Sequence, residues 1–400
     1  MPRDAWQSSK VWPVDNELTV SAQGRRVRTL HQLLKHANVD KKKWRVTSWK
    51  CNSWEQSVKG GEDTITLYQV KAYLERKIEP DRQPAYPPKC IPRTNRPPRK
   101  TGLKTACFIP DSQLGYAWRK RYTYLDPMHD RTAMDTVVRF VRSVRPEIIV
   151  LLGDMLDLAP WSTRFPRKPE FRQTTQPAID ELHWWLAEIR NASPSSKIVY
   201  MAGNHEDRID RAVVELLPEA QDVSPALEEN SIFSLTRLLH LDKLDIDYVG
   251  PYGADWWLWP ESNSPIRVNH GTKVRSGAGS TATAIAKTSR WSEVYGHIHK
   301  VELVQKTFHG PYGPQQITAM SSGCLVRVPG PTPGVSLAPD WQQGLGLAIL
   351  DTNSQDVHMQ VLPITNGRLV YNNEIFEGED PAEHIAFATG WKQFIGDTNA

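Results

Sequence analysis

Five short polar clusters punctuate the middle of the chain, and each holds residue types that ligate metal. They are Asp111-Ser112-Gln113, Gly153-Asp154-Met155-Leu156-Asp157, Gly203-Asn204-His205-Glu206, Asn269-His270-Gly271 and Gly296-His297-Ile298-His299. Carboxylate, amide and imidazole form a mixed N/O donor set. Such a set suits Mn²⁺, Fe, Zn²⁺ or Ni²⁺ better than a thiolate-seeking metal. Two cations held about 3.5–4 Å apart can clamp both oxygens of an in-line displacement at phosphorus. The chemistry to expect is therefore two-metal hydrolysis of a phosphoester. Each cluster alone is weak: a lone His is usually a core or surface residue, and a lone Gly-Asp a turn. Five in this order, several directly after an apolar run, are far more specific.

Elements must bring these clusters together. ACFIP, EIIVLLGD, KIVYMAGN, IRVNHG and SEVYGHIH are apolar runs that end in polar clusters. Continuous apolar runs predict strands buried on both faces. Segments 131–144 and 176–190 have helical patterning between the first runs, and more strands follow, so the fold class is an α/β sandwich. Ligands in such folds gather at strand ends. The i, i+2 spacing of Asp111 with Gln113, and of His297 with His299, predicts side chains aimed the same way from a strand end. Gly153 lets the backbone bend before Asp154. Residues 208–265 form a longer excursion with helices near 209–216 and 231–239. Its Trp256-Trp257-Leu258-Trp259 stretch reads as a packed strand, with an aromatic stacking platform as the alternative. From Leu303 the pattern is mostly β.

The chain divides into a basic module at 1–84, a proline-rich basic linker at 85–104, the α/β domain at 105–372 and a weakly ordered tail at 373–400. In the module, TLHQLLKHA (29–37) has helical spacing. Lys43–Trp49 alternates like a strand, with Trp44, Val46 and Ser48 on one face and Arg45, Thr47 and Trp49 on the other. Gly60-Gly61 marks a turn, and Ile65–Lys77 has a β-branched start and a helix-like second half. Residues 1–104 carry 22 Lys+Arg against 10 Asp+Glu, a net of +12, whereas the rest of the chain carries a net of −8, giving +4 overall. That asymmetry points to an anionic partner for the front part, against the plainer reading of a solvated basic surface. The composition, 39% hydrophobic and 24% charged, is that of a globular protein with ample core. No run reaches the roughly 18–20 apolar residues of a membrane span. The N-terminus lacks the apolar segment of a secretory signal. The four scattered cysteines read as free thiols in a reducing compartment. The expected location is the cytoplasm, of a host cell if the protein is viral.

The ordered clusters resemble the calcineurin-like metallophosphoesterase pattern D-x-H, G-D-x-x-D, G-N-H-D/E, a lone H, and G-H-x-H, over roughly residues 105–370. Asp111-Ser112-Gln113-Leu114-Gly115 is similar to the D-x-H-L-G form of the Mre11/SbcD-type nuclease branch. The resemblance implies one metal on Asp111, Asp154 and His299, with Gln113 where the family has histidine. It implies a second metal on Asp154, Asn204, His270 and His297. His205 would face the scissile phosphate, Asp157 would orient the site, and Arg208 would either bind a phosphate or form a surface ion pair. Gln113 departs from the pattern. Its amide is a harder, weaker donor than imidazole, so either the first metal is Mn²⁺ or Mg²⁺ rather than Zn²⁺ or Fe, or a water replaces Gln113. The N-terminal module resembles a short domain found before such phosphoesterases in bacteriophage proteins.

The leading expectation is thus a Mn²⁺-dependent nuclease, acting on DNA more than RNA, with a homodimer as one assembly that similar nucleases adopt and no membrane association. A small-molecule or cyclic-nucleotide phosphodiesterase or phosphatase uses the same clusters. A nucleic-acid-binding protein with a degenerate site is the third reading, and Gln113 is the feature in its favour.

Overall fold

The structure, a computed structural model, describes residues 8–14, 17–57, 64–76, 102–119, 123–164, 168–310, 313–328 and 339–390. It falls into two compact units, Met1–Asp81 and Arg82–Ala400. The Gly60-Gly61 turn and most of the proline-rich linker (85–101) lie outside the described residues.

The first unit is a four-stranded antiparallel sheet with one helix. Strands β1 (Ser8–Val14), β2 (Glu17–Gly24), β3 (Trp44–Ser57) and β4 (Thr64–Arg76) run in the order β1-β2-β4-β3. Helix α1 (Leu30–His36) starts at Thr29, whose hydroxyl caps the Gln32 backbone in a reciprocal capping box. Leu33 and Leu34 pack against Leu18, Val20, Val70, Ala72 and Leu74 from one face of the sheet. Two expectations are corrected. Residues 64–76 form one strand throughout, because the alternation Val70, Ala72, Leu74 buries a period-two face that a helix could not. A bulge between Val46 and Ser48 breaks the alternation in β3. Beyond it every side chain changes face, so Trp49, opposite Ala72, shares the face of Val46 instead of opposing it.

The second unit is mixed α/β. A six-stranded sheet runs β10-β9-β8-β5-β16-β17, built from β5 (Leu103–Ile109), β8 (Ile148–Leu151), β9 (Lys197–Met201), β10 (Ile246–Val249), β16 (Gly344–Asp351) and β17 (Val357–Pro363). Its first four strands are parallel. A five-stranded sheet runs β11-β12-β13-β15-β14, from β11 (Trp256–Leu258), β12 (Ile266–Asn269), β13 (Ser292–Tyr295), β14 (Val301–Gly310) and β15 (Gly313–Ser322). The two sheets share a core. Phe108, Val150 and Val199 of the first meet Ile266, Val268, Val294 and Met320 of the second. The alternate residues Cys107, Ile109, Ile149, Leu151, Ile198 and Tyr200 pack in the core that holds α2 (Arg131–Val144) and α3 (Thr175–Ala192). Helix α6 (Ser280–Thr288) packs on Tyr295 and Ala319 of the second sheet. The excursion at 208–265 contains α4 (Asp207–Leu216) and a short α5 (Leu235–Leu238), and its Trp-rich stretch forms β11. The expected tail continues into ordered structure. Small strands β18 (Arg368–Tyr371) and β19 (Glu374–Glu377) pair, helix α7 (Ala382–Thr389) follows, and Phe376, Ile385 and Ala386 are buried in the α2–α3 core. Among the described residues no helix is long and apolar enough to cross a membrane, and Cys51, Cys107 and Cys324 are free.

A buried polar network locks the strand that follows the first cluster. The Glu181 carboxylate on α3 accepts from Arg131 Nε at 2.9 Å and Nη2 at 2.8 Å, and from Trp185 Nε1 at 3.1 Å. His129 Nε2 lies 2.6 Å away, and the Tyr116 hydroxyl donates to the same carboxylate. Tyr116 opens a short hairpin, β6 (Tyr116–Arg119) with β7 (Tyr124–Pro127), directly after Gly115. Burial works to raise the Glu181 carboxyl; the Arg131 charge and His129 outweigh it and hold the group well below the usual carboxylate range. Glu181→Ala strands a buried guanidinium, so a loss of about 3–5 kcal/mol is expected in urea unfolding. Because the folded pKa is depressed, this stabilisation is complete above the unfolded carboxylate range, near pH 4.5, and is lost as pH falls toward the folded pKa. The wild-type unfolding midpoint should fall between pH 5 and 3 more steeply than that of Glu181→Gln. Parallel profiles would contradict this account.

Candidate metal centre

The seven expected ligands all lie beyond the carboxyl ends of strands. Asp111 and Gln113 follow β5, Asp154 follows β8, Asn204 follows β9, His270 follows β12, and His297 and His299 follow β13. The period-two argument for Gln113 and for the His297/His299 pair is corrected, since both segments have left their strands. Gln113, His297 and His299 have φ of 41°, 72° and 56°, and Asp154 has 49°. Left-handed backbone at four non-glycine positions is costly, and such strain concentrates where side chains must be aimed.

The residues gather in two adjoining groups. Asp154, His270 and His297 offer ligand atoms within 4.8 Å of one another. His270 Nε2 is 3.3 Å from Asp154 Oδ2 and 3.2 Å from Asn204 Oδ1. Its Nδ1 lies 2.8 Å from the Leu152 carbonyl, which can only accept, so that nitrogen carries a proton. Nε2 then faces two oxygens, and a proton or a metal ion must lie between them. In the second group, Asp111 Oδ2 is 3.2 Å from His299 Nε2 and accepts from the His297 backbone at 2.9 Å. Gln113, two residues after Asp111, has its Nε2 3.4 Å from His205 Nε2 and its buried Oε1 without a hydrogen-bond partner. A buried amide oxygen without a donor is the expected state of a cation ligand from which the cation has been removed.

Charge within the site is concentrated and buried. Burial works to raise the Asp154 carboxyl, but His205 and His270 outweigh it and hold it well below the usual range. Burial lowers His270; the Asp154 charge outweighs it and lifts the imidazole to about 10. His297 goes down, through burial and then the charge of His270. The buried Asp154 carboxylate, His270 and His297, with the Asn204 oxygen beside them, are donors that fit a divalent cation. The lack of thiolate fits a hard or borderline metal.

His205 occupies the rim. Its backbone N–H donates to Asp154 Oδ1 at 2.8 Å. Its Nδ1 is 3.4 Å from Asp157 Oδ1 and its Nε2 3.6 Å from Asp154 Oδ2. Burial lowers this imidazole, and Asp154 and Asp157 together raise it above its usual value. Arg208 is a part-buried bracket: Nη2 donates to His205 Nε2 at 2.8 Å and Nη1 to the Asp157 carbonyl at 2.5 Å.

Sequence reasoning gave Glu206 no role, yet it holds the site together. Its carboxylate accepts from the backbone N–H groups of Asp154 (2.8 Å), Met155 (2.8 Å), Leu156 (3.2 Å) and Gly203 (2.9 Å), and from the Tyr200 hydroxyl (2.9 Å). Burial and the Asp154 charge push the Glu206 carboxyl up, while these donors pull it down. The Asp154 and Asn204 loops are thereby stapled at close approach. A methyl group at Gly203 would collide with Asp154 Oδ1 and with the Asp154 backbone nitrogen. The available signals were its place in the Gly203–Glu206 cluster and at a helix start, which did not reveal its role as a staple.

No protein-family model matches this chain. It is 25% identical over 258 residues to the Gene 54 protein of Mycobacterium phage L5, an alignment that takes in 63% of this chain and 94% of the relative. The Gene 54 protein of Mycobacterium phage D29 is 26% identical over 259 residues, with the same coverage. Both relatives are bacteriophage proteins, in keeping with the phage setting expected from the sequence.

Proposed function

We propose that this chain is a two-metal-dependent phosphodiester hydrolase of the calcineurin-like metallophosphoesterase type, acting on DNA. One observation carries the reading: residues from the ends of five strands in two facing mixed sheets converge as two adjoining groups, Asp154 with His270, His297 and Asn204, and Asp111 with His299, joined where the His297 backbone donates to Asp111. The helix–sheet–sheet–helix layering supports the sandwich expected of that family. Asp111, Gln113, Asp154 and His299 would hold one metal, and Asp154, Asn204, His270 and His297 the other, Mn²⁺ being the first choice and Mg²⁺, Zn²⁺ or Fe the others. When bound, the pair supplies the positive charge that activates water and stabilises an in-line displacement at phosphorus.

The chain's own groups do the rest. His205, raised above its usual value by Asp154 and Asp157, is suited to giving a proton to the leaving oxygen or to stabilising charge on the phosphate. Asp157 orients that imidazole. Arg208 sits against Nε2, the ring nitrogen that would turn toward a phosphate, and its guanidinium can follow the phosphate there.

The basic front part and the Asp111–Gly115 motif support a nucleic-acid substrate. One observation favours a small-molecule substrate instead. Tyr252, from the 208–265 excursion, reaches the rim, its hydroxyl donating to the Gly271 carbonyl at 3.2 Å and its ring 5.8 Å from that of His270. A panel decides between them: linear and circular DNA, RNA, cyclic nucleotides and a phosphomonoester, each with Mn²⁺, Mg²⁺, Zn²⁺ and Fe²⁺. Mn²⁺-dependent cleavage of linear DNA is expected. Hydrolysis of cyclic nucleotides with DNA left intact would transfer the reading to a small-molecule phosphodiesterase.

Gln113 sets metal preference in this scheme. Replacing it with histidine adds a borderline-soft donor, so Gln113→His should tighten Zn²⁺ relative to Mn²⁺ by about tenfold or more in competition titrations. Unchanged affinity and preference would remove Gln113 from the ligand set.

A further inference from the structure

The N-terminal sheet has two faces, and α1 covers one of them. The register assigns Gln69, Lys71 and Tyr73 of β4, with Ser48, Lys50 and Asn52 of β3 and Thr19, Ser21 and Gln23 of β2, to the other. Trp54, opposite Leu67, lies on the same face. Apart from the Arg45–Glu75 pair at one end and the apolar Leu67 and Ile65 at the other, the described side chains of this face are polar, aromatic or basic, with no further acid.

At its centre Lys50 and Lys71 are direct cross-strand partners. Like charges directly opposite each other destabilise a sheet, and the pair lacks an acidic neighbour on the face to offset it. Lys71 Nζ lies 4.7 Å from the centre of the Tyr73 ring, and Tyr73 is 38% exposed. Trp54 and Tyr73 bracket the lysines, six residues or about 20 Å apart along the strands. Paired cations flanked by accessible rings are complementary to an alternation of phosphates and bases, and too flat and polar for an apolar partner.

We propose that this open sheet face binds single-stranded nucleic acid, Lys50 and Lys71 taking backbone phosphates and Tyr73 and Trp54 stacking bases. Such a strand belongs to the substrate class proposed for this chain, and that link rests on the function proposed above. Binding itself does not.

The test is fluorescence anisotropy of full-length protein in EDTA, with labelled single-stranded DNA, single-stranded RNA and duplex DNA, between 50 and 200 mM salt. Single strands should bind more tightly than duplex, and the two single-stranded arms identify which sugar is preferred. The Lys50→Gln/Lys71→Gln double variant should bind at least about tenfold more weakly, with a salt slope smaller by about 1.4, at roughly 0.7 per phosphate contact. Tyr73→Ala should weaken binding about tenfold. The double variant should melt no lower than wild type, because like-charge repulsion is removed, so lost binding cannot be ascribed to unfolding. Asp154→Asn should bind as wild type does, which separates failure of hydrolysis from failure of this proposal. Unchanged affinity and salt slope in the double variant, or preference for duplex, would overturn it.

Discussion

Asp154→Asn should lower metal-dependent phosphodiester hydrolysis on the order of 10³-fold or more, about 4 kcal/mol of barrier. In the proposed scheme this carboxylate would serve both metals; it lies 3.3 Å from His270 Nε2 and 3.6 Å from His205 Nε2. The substitution is nearly isosteric, and an amide oxygen can still accept from the His205 backbone. The fold should therefore survive, with a melting temperature within a few degrees of wild type. What is lost is the negative charge that concentrates cations at a site ringed by imidazoles. Steady-state hydrolysis of bis-p-nitrophenyl phosphate with Mn²⁺ measures the effect. Activity within about tenfold of wild type, with the fold intact, would mean that hydrolysis occurs elsewhere.

Glu206→Ala should lower both stability and activity, for a different reason. Removal of the carboxylate leaves four backbone N–H groups and the Tyr200 hydroxyl without their acceptor in the interior. Each unsatisfied buried donor costs about 1–3 kcal/mol. Local rearrangement and entering water recover part, so about 3–5 kcal/mol is expected, on the order of 10 °C in melting temperature. Glu206→Gln should be nearly as harmful, because its amide nitrogen would meet donors with a donor. Differential scanning calorimetry reads both variants. If Glu206→Gln melts as wild type does but loses metal affinity, Glu206 is a ligand and not a staple.

The strands of the second unit were legible because both of their faces are buried. EIIVLLGD and KIVYMAGN are apolar without alternation, and such runs at this length can only be inner strands. The five clusters follow directly, since each sits where such a run stops. Four features were not legible. The left-handed backbone at Gln113, His297 and His299 arises from contacts to other loops, such as Gln113 N to Asp154 O at 2.8 Å, so spacing within the segment gave the wrong geometry. Glu206 and Glu181 draw most of their partners from about 50 residues away, and the few nearby ones, Gly203 and Tyr200 or Trp185, do not reveal the network by themselves. The segment after 373 looked like a tail because it is terminal and has no long apolar run, yet Phe376 and Ile385 are buried on the core of α2 and α3. In β3 a single bulge reversed the faces after Val46, which a pattern of alternation cannot reveal.

The most direct measure of the central claim is the number of Mn²⁺ ions bound per chain at saturation, counted by isothermal titration of metal-stripped protein. Two ions are predicted for wild type, and loss of tight binding at both sites for Asp154→Asn, because that carboxylate would bridge both metals in the proposed assignment. No binding by wild-type protein, or the same two ions bound equally well by Asp154→Asn, would contradict a two-metal centre built on Asp154.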